Sequence, residues 1–143
     1  MSFKDLYNLI AERKKTLPEG SGTANLLRGG LNKILPKFNE ECFEVGLALE
    51  IEGPDQVAFE VSQCFYYLIC LAVLMESDFE KLQLNPDFNV AFESEHDLAK
   101  ECARKASLVC YKPSLETIND MTPLLFQAIK LKGSTLNKMF SYL

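Results

Sequence analysis

Apolar side chains recur along this chain at helical spacing. Phe3, Leu6, Leu9 and Ile10 mark one face of a first helix of about four turns, and the loop chemistry of Leu17-Pro18-Glu19-Gly20-Ser21-Gly22 ends it. Leu31, Ile34, Leu35, Phe38, Cys42, Val45 and Leu49 keep the same rhythm in a second helix. Pro36 is expected to kink that helix or to delay its start by a residue, because proline lacks an amide donor and crowds the preceding turn. Gly53-Pro54 closes the segment, and Pro54 suits the first turn of a third helix carrying the apolar run 57–75. Two long helices joined by so short a turn form an antiparallel hairpin.

Further along, Ser77-Asp78-Phe79-Glu80 has the form of a capping box and predicts the start of a short helix. A linker is expected over 84–89, around Asn85-Pro86-Asp87, and three more helices over 92–109, 113–132 and 134–142, the last two separated by Gly133. No segment alternates as a strand does. The fold class is therefore all-α, a helical bundle built on the long antiparallel hairpin. Two regions are expected: a helical domain over 1–84 and a C-terminal helical extension over 90–143 packed on the same core. The tail echoes the hairpin: Glu101-Cys102, Pro113 and the apolar stretch after Met121 parallel Glu41-Cys42, Pro54 and the stretch after Cys64. If it is a second copy it has lost the acids, with Arg104 where Glu44 stands and Asn119 near where Glu60 stands. Two unrelated amphipathic hairpins are the other reading.

Composition narrows the function classes. A net charge of −5 and a pI near 4.9 supply no electrostatic footprint for nucleic acid or an anionic membrane. Glu60, Ser62 and Gln63 interrupt the apolar run 57–75 near its start, and the remainder is too short to span a bilayer, so a buried core helix is expected. Cys42, Cys64, Cys70, Cys102 and Cys110 form no CxxC pair and no leader peptide precedes them, which reads as reduced thiols and a cytoplasmic protein. The one histidine, His96, lies in a polar stretch without a visible partner for nucleophilic or zinc chemistry.

Acidic residues carry the candidate chemistry. Glu40, Glu41 and Glu44 lie three and four residues apart on the second helix and share a face, where like charges repel. Glu60 and Gln63 are three apart on the next helix, and folding at Gly53-Pro54 brings the two groups toward each other. Carboxylates on facing helices suit Mg²⁺, a hard cation that prefers oxygen ligands and shares them with substrate phosphates. The competing reading is a solvated acidic face. Glu60 sits among Val57, Phe59, Val61, Phe65 and Leu68, so it either points outward or is held by something cationic.

The residues 5–14 ending in Glu12-Arg13-Lys14, then Leu17-Pro18-Glu19-Gly20-Ser21 with Thr23, then 30–35 with Lys37, then Glu40-Glu41-Cys42-Phe43-Glu44-Val45 and on to Tyr66, resemble the phosphoribosyl-ATP pyrophosphohydrolase family over roughly residues 3–82. That family belongs to the all-α nucleoside triphosphate pyrophosphatases (MazG-like), whose signature is EExxE followed by ExxD. The resemblance implies hydrolysis between the α and β phosphates of phosphoribosyl-ATP, giving phosphoribosyl-AMP and pyrophosphate in histidine biosynthesis. By motif position it implies Glu41, Glu44, Glu60 and Gln63 at a Mg²⁺ (or Mn²⁺) site, and Glu40 as a supporting ligand or base for the attacking water. Arg13, Lys14, Ser21, Thr23, Lys33 and Lys37 match positions facing phosphate or ribose. A homodimer is implied too, since such small bundles in this family pair to complete their cores and sites.

This chain departs from the pattern at four positions. Gln63 stands where the family has the Asp of ExxD, Tyr67 where it commonly has His, and Asn32 and Asn39 where Asp and Gly are usual. A carboxylate about 4 Å from a divalent ion is worth several kcal/mol of attraction at an effective dielectric of about 20, before desolvation offsets part of it. Gln63 therefore raises an alternative: a catalytically degenerate nucleotide-binding or regulatory protein of the same fold.

Overall fold

The computed structural model describes residues 1–86 and 92–143, and every described regular element is helical. Helix α1, Phe3–Thr16, starts at a reciprocal capping box: the Ser2 hydroxyl accepts from the Asp5 amide at 3.1 Å and the Asp5 carboxylate accepts from the Ser2 amide at 3.0 Å. It ends with Leu17 in the left-handed region at φ 43°. Helix α2, Gly22–Gly29, fills the stretch between that loop and the second expected helix, to which the sequence pattern assigned no element, and is capped by the Ser21 hydroxyl on the Ala24 amide at 3.1 Å. Its eight residues are too few to show periodicity, and glycines bracket it.

Helix α3, Leu31–Ile51, runs through Pro36 rather than beginning after it. Pro36 sits in the second turn and is exposed, so the one amide it withholds is lost near the solvated end of the helix. Gly30, at φ 66°, makes the tight junction with α2. Helix α4, Pro54–Leu74, returns antiparallel, with Cys42 and Cys64 thiols 3.7 Å apart inside the hairpin. By length and composition α4 could cross a membrane, with a mean hydropathy of 1.8, but 72% of that window is buried by the other helices, as a central core helix requires.

The capping box expected at 77–80 does not form. Glu76 takes a left-handed conformation (φ 57°) and the Ser77 amide bonds back to the Ala72 carbonyl at 3.0 Å, closing the end of α4. The chain then makes a single 3-10 turn, Phe79–Lys81, without a side-chain cap, and Glu80 pairs with Lys4 at 3.0 Å instead. Leu84, Asn85 and Pro86 are non-helical, while the rest of the expected linker lies outside the described residues. Helices α5 (Glu95–Tyr111), α6 (Leu115–Lys132) and α7 (Leu136–Ser141) complete the bundle, each capped by a hydroxyl, from Ser94, Ser114 and Thr135.

One continuous apolar cluster joins these helices, and α3 packs chiefly on α4 and α5 while α4 packs on α6. Phe65 at its centre meets Phe3 at 4.7 Å and Phe126 at 5.0 Å between ring centroids, tying α4 to α1 and α6. Lys132, 14% exposed, donates to the last-turn carbonyl of Leu49 at 2.8 Å and pairs with Glu95 at 3.1 Å, fastening α6 to both α3 and α5.

Candidate active site: a carboxylate pair beside a cationic cleft

The α3–α4 hairpin brings Glu41 and Glu60 within hydrogen-bonding reach of each other. Glu60 is only 6% exposed, and its carboxylate accepts from the Gln56 amide at 2.7 Å one turn earlier on α4. It thus points inward rather than outward, and its protein partner is an amide. Burial first, then the hydrogen bond and charge of Glu60, then the charges of Glu40 and Glu44, push the Glu41 carboxyl from its usual 4.5 up to about 7. Glu41 therefore keeps its proton well above the usual carboxylate range, with Glu60 facing it from α4. Glu40 and Glu44 are exposed on the same helix, and half-buried Gln63 stands one turn beyond Glu60. Among the described residues no three His, Cys, Asp or Glu side chains are gathered closely enough to enclose a metal ion by themselves.

Beside this pair opens a cleft of about 470 Å³, into which Arg13 of α1, Ser21, Gly22 and Thr23 at the start of α2, Lys33 and Lys37 of α3, and Tyr66 and Tyr67 of α4 all project. Five of the six residues expected to face phosphate or ribose thus meet in one place. Three carry positive charge, and the α2 N-terminus adds amide dipoles favourable to an anion. Lys37 pairs with Glu40 at 3.7 Å, linking the cationic wall to the acidic face. Tyr67 makes the same link on α4: burial, then the charge of nearby Glu41, raises its phenol above the usual value. The Ser21 hydroxyl is engaged in capping α2, and Thr23 shares a hydrogen bond of 2.5 Å with the Tyr66 hydroxyl, fixing the cleft's rear wall. Gly29 has a local reason: a Cβ there would lie 2.6 Å from the Cβ of Lys33, so any other residue would displace that lysine.

Lys14 is not in the cleft. It donates to the Val73 carbonyl and pairs with Glu76, both at 3.3 Å, so it docks α1 onto the end of α4. Conversely Tyr66 and Tyr67 were not among the expected ligands, although the spacing of seven from Glu60 puts Tyr67 on the same side of α4, with Tyr66 three residues beyond Gln63.

This is an all-α bundle in which a pair of facing carboxylates is linked, through Tyr67 and the Lys37–Glu40 pair, to a cationic, tyrosine-walled cleft. The chain belongs to the phosphoribosyl-ATP pyrophosphohydrolase family, whose sequence model matches residues 3–84. It is 35% identical over 82 residues to the phosphoribosyl-ATP pyrophosphatase of Lactiplantibacillus plantarum, covering 57% of this chain and 77% of that one. The namesake from Rhodospirillum rubrum is 44% identical over 66 residues, 46% of this chain and 56% of its own length. That from Rhizobium johnstonii is 29% identical over 106 residues, 74% of this chain and 96% of its own. No solved structure matches the chain.

Proposed function

We propose that this chain is a Mg²⁺-dependent nucleotide pyrophosphohydrolase that cleaves phosphoribosyl-ATP between its α and β phosphates, releasing pyrophosphate and phosphoribosyl-AMP in cytoplasmic histidine biosynthesis. The observation that carries the reading is the meeting of Glu41 and Glu60 between α3 and α4, linked through Tyr67 and the Lys37–Glu40 pair to a cleft lined by three cations. Two facing carboxylates without a complete protein cage suit Mg²⁺, which keeps waters and substrate phosphates among its ligands. Glu41 and Glu60 would hold it, with Glu44 and the Gln63 carbonyl nearby; Mn²⁺ has the same preferences. When bound, the ion neutralises phosphate charge and acidifies water. The chain's own residues do the rest. Arg13, Lys33 and Lys37 bind the polyphosphate, the α2 N-terminus orients it, and Glu40 accepts the proton of the attacking water.

The test is pyrophosphate release from phosphoribosyl-ATP under Mg²⁺ or Mn²⁺. Glu44→Ala is expected to reduce release by about 10-fold or more while leaving the fold intact, since Glu44 is exposed; unchanged release would remove the acidic face from the mechanism. Gln63 favours a second reading, a nucleotide-binding protein without turnover. Tight binding of a non-hydrolysable analogue with no release under any divalent ion would select it. Gln63→Asp adds a charge to the site and is expected to tighten Mg²⁺ binding on the order of ten-fold, read by calorimetric titration; unaltered affinity would place Gln63 outside the site.

A further inference from the structure

The C-terminal helices repeat the hairpin in register as well as in outline. Helix α3 ends at Ile51 and α5 at Tyr111, an offset of 60, while α4 begins at Pro54 and α6 at Leu115, an offset of 61. At the first offset the buried Phe38, Cys42 and Leu49 fall on the buried Leu98, Cys102 and Val109.

Any two antiparallel helices have a local twofold axis, so reciprocal contacts alone mean little. What is specific here is where the axis falls. Helices α3 and α5 run antiparallel, as the Cys110 thiol on the Leu35 carbonyl at 3.6 Å and the His96–Glu50 pair at the other end require. Midway between these contacts Cys42 comes within electrostatic range of Cys102, its own counterpart. In the second pair the ring of Phe65 meets that of Phe126, again its own counterpart, tilted at 42° with centroids 5.0 Å apart. Both helix pairs thus bring equivalent residues together, as an isologous interface between two copies does.

We propose that residues 95–132 are a second, charge-altered copy of the α3–α4 hairpin, which serves within one chain as that hairpin's partner. The repeat replaces Glu40, Glu41 and Glu44 by Lys100, Glu101 and Arg104, and Arg104 forks onto Glu101 at 2.9 and 3.2 Å. The vestigial acidic face is neutralised internally. One acidic site per chain remains, and the α5-covered face of α3 is closed to a second chain.

Two measurements on the full chain test this. Gly46→Cys with Ala99→Cys places Cβ atoms 3.6 Å apart across α3 and α5, within disulfide range. Oxidation followed by peptide mapping is expected to give the link within one 16.2 kDa chain; a link between two chains would overturn the proposal. The 61-residue offset puts Met121, rather than the Asn119 expected from the sequence, in the place of Glu60, and restoring the lost acids with Arg104→Glu and Met121→Glu is expected to add one Mn²⁺ per chain to whatever number the unaltered protein binds, counted by electron paramagnetic resonance. A folded variant with no added ion would overturn the repeat. Because this readout is an increment, it separates from pyrophosphate release: failure of turnover leaves it standing. If burying a new acid at Met121 unfolds that variant, the disulfide decides.

Discussion

Glu41→Gln is expected to make the protein more heat-stable above pH 7 and, at the same time, to cut pyrophosphate release at least about 100-fold. Both effects come from one cause. Glu41 titrates at about 7 in the folded chain and near 4.5 when exposed, so between those values the folded state holds a proton that the unfolded state has lost. Stability from this group is therefore full below about pH 4.5, declines as pH rises, and is gone once pH passes about 7. Above that point Glu41 faces Glu60 as a second anion, with Glu40 and Glu44 on its own helix and Tyr67 and Cys64 facing it from α4. Glutamine keeps the shape of the protonated acid at every pH, so the variant loses the slope. On the proposed reading Mg²⁺ takes the place of the Glu41 proton, so it is expected to raise the melting temperature of the unaltered protein more at pH 8 than at pH 5, and to leave Glu41→Gln nearly unmoved. Thermal unfolding across pH with and without Mg²⁺ reads all of this. A wild-type midpoint independent of pH between 4.5 and 7.5 would mean that the two carboxylates are not in contact.

The second large effect falls on the core. Phe65→Ala removes a fully buried ring that touches Phe3 and Phe126, and is expected to cost about 3–5 kcal/mol, a large share of the ~5–15 kcal/mol that a single domain commands. Because Phe65 joins α1, α4 and α6, loss of the N-terminal and C-terminal helices should coincide in one transition. Denaturant unfolding followed by far-UV circular dichroism measures the cost. A loss below about 1 kcal/mol would mean that the aromatic cluster does not tie the two hairpins together.

How much of this was legible beforehand differs by element. Helices α1, α3, α4, α5 and α6 are long enough for a 3.6-residue period to outweigh local exceptions, so even Pro36 in α3 and Pro123 in α6 leave them intact. Helix α2 was not legible: it depends on the Ser21 cap and on packing beneath α1 rather than on a run of its own. The box at Ser77 failed because the end of α4 consumed the Ser77 amide first. In the site, EExxE spacing sufficed to put Glu40, Glu41 and Glu44 on one helix, but which of them turns inward depends on the crossing with α4.

The chain's linear pattern decided the helical class, the hairpin at Gly53-Pro54, the family and the pool of acids and cations. These arise from short-range periodicity and turn chemistry, which act within a few residues. Only packing decided that Glu41 and Glu60 face each other, that Arg13, Lys33 and Lys37 converge while Lys14 departs to close α4, and that the two hairpins meet at Cys42–Cys102 and Phe65–Phe126. Those outcomes turn on helix rotation and crossing, where a shift of one residue swings a side chain by about 100° and moves it from a shared pocket to open water.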